Sequence, residues 1–184
     1  DVADRTWLPG FRVMDVVGID PNQVETLARR WGYEQVANTS GFLQVVERSP
    51  LVRSLVSRPG WLAAALGSMR DVAGPVRAFD IVERFVQHLE PSVNGAWSAL
   101  ARVLHERRTA VGHRADLPRD RLSSGLLQWL SDDEFRFVHA AVQAYFAARA
   151  LGGDEPALAA RAGDDWWDPV IVLAAGLLPD PSPL

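Results

Sequence analysis

The stretch LLQWLSDDEFRFVHAAVQAYFAARAL, residues 126–151, decides the fold because its hydrophobic pattern changes within one short span. The runs LLQWL and FRFVH are typical of extended segments, and SDDE between them is a four-residue turn of the kind that closes a hairpin. From about Ala140 to Leu151 the apolar residues fall at helical spacing instead. The sequence therefore predicts a β-hairpin that leads directly into a helix, with His139 at the junction.

Helical patterns are found on both sides of this stretch. Asp20 followed by Pro21 is typical of a helix N-terminus, and proline at position 59 can end one helix and open the next. Residues 11–20, FRVMDVVGID, are typical of a short buried strand. Helices are predicted over 21–31, 40–47, 75–90, 94–112, 154–163 and 164–178, over two short segments on either side of residues 58–60, and briefly after Pro118.

The order helix, helix, hairpin, helix is typical of a winged-helix unit. We therefore predict a mainly α fold, in which a helical bundle is followed by a winged-helix domain with a short β-hairpin. The last residues, PDPSPL, are rich in proline and are predicted to fray.

Composition limits the classes of function. The net charge of −4 argues against a protein that neutralises many phosphates, and the absence of cysteine excludes a disulfide framework and thiolate metal sites. All 19 basic residues are arginine. Without lysine the chain cannot supply the phosphate-binding lysine of a P-loop, so it is predicted not to be an enzyme by itself. No apolar run approaches the roughly 20 residues of a membrane span, and DVADRTWLPG does not resemble a signal peptide, so a soluble, cytoplasmic chain is expected.

The residues that follow the hairpin carry a resemblance to a known family. The pattern aromatic-x-Phe-x-His, then Phe-Gln-Glu-Tyr and a pair of alanines, is the winged-helix signature of NACHT-type STAND NTPases, which are nucleotide-switched signalling proteins. The sequence FRFVHAAVQAYFAARAL resembles it. It departs at Val142, where the family prefers phenylalanine, and at Ala144, where it prefers glutamate. The matching residues are Phe137, His139, Gln143, Tyr145, Ala147 and Ala148.

Weaker resemblances extend over residues 11–178. VVGIDPNQVETLARRWG is similar to the segment that opens the family's first helical domain, and SPLVRSLVSRPGWLAAAL resembles its "nP-L-L" helix. The resemblance implies residues 1–19 as the end of a nucleotide-binding domain or linker. It implies a first helical domain at 20–74, a winged-helix domain at 75–151, and the start of a further helical region with a tail at 152–184. No P-loop precedes these segments in the sequence, so the resemblance implies the regulatory part of an ATPase without its nucleotide-hydrolysing core.

His139 and Pro59 are the candidate site residues. At the first turn of a helix an imidazole is expected to be neutral, and it can then donate one N–H to a phosphate while its other nitrogen is held. Packing in the core is the alternative for His139, and breaking a helix is a sufficient role for Pro59. The resemblance implies that the histidine contacts the β-phosphate of ADP and that the proline packs on the adenine. Tyr145 and Phe146 are predicted to pack in the core.

The resemblance implies a function as the regulatory or sensor portion of a NACHT-type signalling NTPase, in bacterial defence or signalling. Its partners would be the nucleotide-binding core of the same protein and, on activation, further copies. ADP and ATP would be shared with that core, and no metal, membrane or nucleic acid is expected as a partner.

Two alternatives stay open on the residues alone. A DNA-binding winged helix would use arginines near the short helix, Arg114, Arg119 and Arg121, against phosphates. A passive helical adaptor would need no site. The spacing of His105 and His113 does not fit a zinc helix, and His105 is predicted to lie on a solvated face.

Overall fold

The computed structural model describes residues 19–30, 39–68, 76–92, 95–117, 122 and 124–178, and within these ranges the fold is mainly helical with one small antiparallel sheet. The predicted fold class is confirmed. The α-helices are α1 (Pro21–Arg30), α2 (Thr39–Arg48), α3 (Pro50–Val56), α4 (Pro59–Ser68), α5 (Ala78–Leu89), α6 (Gly95–Glu106), α7 (Ala140–Leu151), α8 (Glu155–Ala159) and α9 (Asp168–Ala174).

The short helices begin where the sequence provides caps and prolines. Ser49 is the N-cap of α3, and its hydroxyl accepts the Val52 N–H at 3.3 Å, while Pro50 occupies the first helical position, where the missing N–H costs nothing. Pro59 likewise opens α4 after α3 has ended at Val56. The predicted division into two short helices is therefore confirmed.

The sheet contains three strands in the order β1 (Val111–His113), β3 (Glu134–Phe137), β2 (Leu127–Trp129), all antiparallel. The predicted hairpin is β2 and β3. Its turn is closed by the bond from Leu130 N–H to Glu134 O at 2.9 Å and by the Ser131 hydroxyl, which accepts the Glu134 N–H. Only Val138 and His139 separate the central strand β3 from α7, so the hairpin leads directly into the helix, as the pattern of residues 126–151 predicts.

Strand β1 was not predicted, because a helix was expected over residues 94–112. In the structure that helix, α6, ends at Glu106. Arg108 has a positive φ of 54°, and two bonds close the end of α6: Arg108 N–H to His105 O at 2.9 Å and Thr109 N–H to Leu104 O at 3.0 Å. This is a Schellman arrangement with arginine where glycine is usual. The chain is thereby turned into β1, and the predicted end at residue 112 is wrong.

Helix α7 is the centre of the larger hydrophobic cluster. All residues from 141 to 148 are buried, and the helix contacts α3, α5, α6, α9 and β3. Tyr145 and Phe146 lie in the core, as predicted. A second cluster joins α1, α2, α3 and α4, and α5 contributes to both clusters, with Ile81 on one side and Phe85 on the other.

Several predictions from the sequence lie outside the described residues: most of the strand predicted at 11–20, the short helix after Pro118 and the proline-rich tail. The predicted domain boundaries stay predictions. None of the helices in the described ranges combines the length and the apolar character that a membrane crossing requires.

The pairing of Gly112 with Phe135 gives a stability prediction. A Cβ atom at Gly112 would lie 2.5 Å from Phe135 Cζ, and Phe135 is fully buried. We expect Gly112→Ala to lower the free energy of unfolding by about 1–3 kcal/mol, because the ring must move within a filled core. Denaturant unfolding measures this. Gly95→Ala is the matched control, since a Cβ there meets no atom within 4 Å; an equal stability of the two variants would contradict the packing described.

Candidate functional site

His139 lies between strand β3 and helix α7 and caps the helix with its own side chain. Its backbone is extended, with φ −154° and ψ 150°, and Nδ1 accepts the backbone N–H of Ala141 at 3.1 Å. A nitrogen that accepts an N–H cannot itself carry a proton. The ring proton of the neutral imidazole is therefore on Nε2.

The second ring nitrogen ties α7 to α3. Nε2 lies 3.2 Å from the hydroxyl oxygen of Ser54, a residue of α3 that is 85 positions earlier in the chain. Because Nε2 bears the proton, it donates to Ser54 Oγ. The imidazole is thus held by one nitrogen and donates through the other, as the sequence reasoning requires of a phosphate-binding histidine.

An aromatic ring and a guanidinium complete this side of the site. Trp61, in the first turn of α4, packs edge to face against His139, with ring centroids 5.1 Å apart. The Trp61 ring also packs against Phe85, with ring centroids 5.3 Å apart. The guanidinium carbon of Arg58 lies 4.5 Å from the centroid of the Trp61 ring, within cation–π distance. The α3–α4 turn is thereby fixed beside the N-terminus of α7.

The environment keeps His139 neutral. Burial and, to a smaller extent, the positive charge of Arg58 together lower the pKa of its imidazole to about 4. The neutral ring that the sequence predicted is thus supported. The cause differs from the one expected, since burial rather than the helix terminus is the larger effect.

A cavity of about 210 Å³ is bordered by His139 and carries an excess of positive charge. Arg58 and Arg136 both line it, and none of its described lining residues is acidic. Arg136 Nε donates to Gln128 Oε1 at 3.0 Å. Within the ranges that the structure describes, neither guanidinium forms an ion pair with a carboxylate. The other lining residues are Ala110, Phe137, Val138, Ala140 and Gln143.

Sequence reasoning missed Ser54, Arg58 and Arg136. Two of them lie next to features that indicated the site: Arg58 directly precedes Pro59, and Arg136 lies inside the FRFVH run that ends at His139. Arg58 and Arg136 line the cavity, and Ser54 contacts His139. These approaches depend on the packing of α3 and β3 against α7, which no local pattern contains.

Pro59 has a less direct place. It is the first residue of α4, it is exposed, and it does not line the cavity, although its neighbour Arg58 does. The structure thus brings the turn that carries Pro59 to His139. The role of Pro59 in nucleotide binding stays a prediction.

A larger groove of about 610 Å³ shares none of these lining residues. It is mainly apolar and lies among α2, α3, α9 and the start of α5. The groove is larger than the cavity at His139, but the imidazole of His139 and the guanidinium groups of Arg58 and Arg136 lie at the smaller cavity. The groove is lined by Gly41, Gln44, Val45, Arg48, Ser49, Pro50, Leu51, Val76, Ala78, Asp168, Pro169 and Val172.

The remaining candidates are His105 and the arginines at positions 114, 119 and 121. His105 is buried, so its predicted place on a solvated face is wrong. Arg114 lies 5.8 Å from the centroid of Trp129 and donates to Asp132 O at 3.3 Å, which ties it to the hairpin. Arg119 and Arg121 lie outside the described residues. In the described ranges, no group of three or more His, Cys, Asp or Glu side chains could hold a metal ion.

Comparison with protein-family models and with curated proteins gives no match for this chain.

The depressed pKa of His139 gives a pH prediction. The folded value of about 4 lies below the ordinary 6.5, so the unfolded chain binds more protons between these values, and stability falls as the pH drops from 6.5 towards 4. We expect His139→Ser to lose less stability over this window. Serine still caps α7 but does not titrate.

The measurement is the free energy of unfolding of both proteins at intervals across that window. The comparison isolates His139, because every other titrating group is common to the two proteins. Parallel pH profiles would contradict a half-buried, neutral His139.

Proposed function

We propose that this chain is the regulatory part of a NACHT-type, nucleotide-switched signalling NTPase, and that the cavity at His139 receives a phosphate of ADP. One observation carries the proposal: a neutral histidine, held at Nδ1 and donating through Nε2, borders a cavity with two arginines that have no carboxylate partner among the described residues. The remaining contacts of the nucleotide would come from the nucleotide-binding core of the same protein. The family resemblance of residues 135–151 supports this assignment.

The donors suit a phosphate. The Nε2–H of His139 can donate to a phosphate oxygen in place of Ser54 Oγ without any change at Nδ1. Arg58 and Arg136 supply planar guanidinium groups, which match phosphate oxygens in geometry and charge. The N-terminus of the 12-residue helix α7 adds a favourable dipole. The cavity therefore favours an anion through hydrogen bonds and charge together.

The site can act as a switch because its parts belong to two predicted domains. Ser54, Arg58 and Pro59 lie in the predicted first helical domain, whereas Arg136 and His139 lie in the predicted winged-helix domain. A phosphate held by both favours the closed arrangement, and exchange of ADP for ATP would favour an open, oligomerising one. Such a shift requires a difference in binding free energy of about 5 kcal/mol for near-complete conversion.

The first test is nucleotide binding by the chain itself. Because the chain holds only part of the proposed site, we expect weak binding of ADP, with Kd on the order of a millimolar. His139→Ser, Arg58→Gln and Arg136→Gln should each weaken it further, by about threefold to tenfold for loss of one charge-assisted hydrogen bond. NMR shifts of the backbone amides of Ala140 and Gln143, which line the cavity in every variant, measure this during ADP titration.

Arg102→Gln is the matched control, since Arg102 is an exposed arginine of α6 that pairs with Glu106 and does not line the cavity. Equal losses in this control and in the cavity variants would indicate nonspecific attraction of the anion. Tight binding of ADP by the chain alone would contradict the proposed division of the site.

The second test uses the intact protein with its nucleotide-binding core. We expect His139→Ser to reduce ADP retention through purification and to raise basal activity, because the closed arrangement loses one phosphate contact while α7 keeps its cap. Unchanged ADP retention would contradict the proposal. A G-x-x-x-x-G-K-[ST] motif encoded upstream of Asp1 is required as well, since the phosphate-binding lysine must come from there.

A further inference from the structure

His105 forms a second, separate connection between distant segments. It lies in the last turn of α6 and is only 5% exposed. Its ring lies between two tryptophans, with centroid distances of 4.9 Å to Trp166 and 4.6 Å to Trp167. An ionisable side chain is thus enclosed by aromatic surface where α6 meets the segment that leads into α9.

Two reciprocal hydrogen bonds join His105 to Trp166. The His105 Nε2–H donates to Trp166 O at 2.9 Å, and the Trp166 Nε1–H donates to His105 O at 2.9 Å. A carbonyl oxygen can only accept, so the ring proton of neutral His105 is on Nε2. Nδ1 therefore carries no proton, and this buried atom has no hydrogen-bond partner among the residues that the structure describes.

We propose that the pairing of His105 with Trp166 is an acid-sensitive clasp, in which protonation of His105 Nδ1 releases residues 160–167 and α9 from the end of α6. A proton on Nδ1 creates a buried N–H without an acceptor and a charge inside an apolar enclosure, and both are costly. Opening the clasp exposes Nδ1–H to water and removes both costs. The unfilled Nδ1 acceptor already costs the neutral clasp some desolvation free energy, but protonation replaces it with a buried N–H and a charge, which cost more.

The charges around the clasp oppose one another. Burial, the largest effect, lowers the pKa of His105 below 6.5. The hydrogen bond to the Trp166 carbonyl and the carboxylate of Asp164 favour the imidazolium, and the guanidinium of Arg108 disfavours it. Arg108 and Asp164 also form an ion pair at 2.6 Å that joins the same two segments, and the pKa of Asp164 is lowered by it. The remaining charged or titratable groups of α6, of residues 160–168 and of α7 are Arg102, Glu106, Arg107, Arg161, Asp165, Asp168, Tyr145 and Arg149.

The aromatic rings oppose this lowering, because a tryptophan face attracts a nearby cation and so favours the imidazolium. Burial is the first cause of the lowered pKa of His105. The sign of the pH effect follows: the folded chain binds fewer protons than the open one, so the clasp weakens as the pH falls below 6.5.

Hydrogen exchange of the full chain tests the clasp. After correction for the intrinsic pH dependence of exchange, amides of residues 160–174 should be accelerated at about pH 5 relative to about pH 7.5 by a larger factor than those of residues 141–148, which respond only to the loss of overall stability that His139 causes. Each unit by which the His105 pKa is lowered allows up to about a tenfold increase in the opening equilibrium.

His105→Gln is the matched variant, because its amide can still donate to Trp166 O but does not titrate. We expect its exchange at residues 160–174 to be independent of pH after the same correction. Equal acid sensitivity in this variant overturns the proposal, as does acid opening of the whole chain together. If the variant does not fold, the His105 titration in the wild type decides, since its midpoint must coincide with the opening of residues 160–174.

Discussion

The position of the candidate site depends on the burial of one helix, α7. Residues 141–148 are buried without interruption, and the helix contacts α3, α5, α6, α9 and β3. The neighbours of α7 fill the space around these residues at the density of a solid, which gives the helix one position in this arrangement of the chain. Four of its buried residues are alanines, which allows the neighbouring helices to approach closely. His139 is therefore fixed by the hydrophobic core rather than by the groups it contacts.

The same burial explains how the polar character of the site arises. Ala144, where the resembling family prefers glutamate, is 1% exposed, so a carboxylate in its place would lie within the core. The side-chain amide of the adjacent Gln143 donates a hydrogen bond to Thr109 O at 2.9 Å and thereby holds the turn after α6. Charge reaches the cavity from outside α7, through Arg58 of the α3–α4 turn and Arg136 of β3. These two arginines give the cavity its charge, and α7 gives it its fixed position.

Local features could be predicted from the sequence, and contacts between distant segments could not. The hairpin and α7 are both encoded by residue periodicity, so residues 126–151 were sufficient for them. The end of α6 was missed because Arg108 adopts the left-handed conformation that glycine usually takes. An arginine in the sequence does not indicate that conformation. His105 was misplaced because Trp166, which encloses it, lies 61 positions later. The neutral state of His139 was foreseen, but its larger cause, burial, requires the tertiary structure.

The buried His105 and the half-buried His139 differ in how they respond to protons, although each joins segments that are distant in the chain. In His139 both nitrogens are engaged, and a proton on Nδ1 would face the Ala141 N–H, so protonation removes the helix cap and leaves Nε2 as a donor. In His105 the Nε2 bond survives protonation, and the cost arises at Nδ1, which has no partner in the described residues. An anion in the cavity at His139, as proposed, would offset the charge of that imidazolium, whereas His105 is only 5% exposed. In these proposals ligand and acid are therefore coupled at the end of β3, and the clasp at the end of α6 responds to acid.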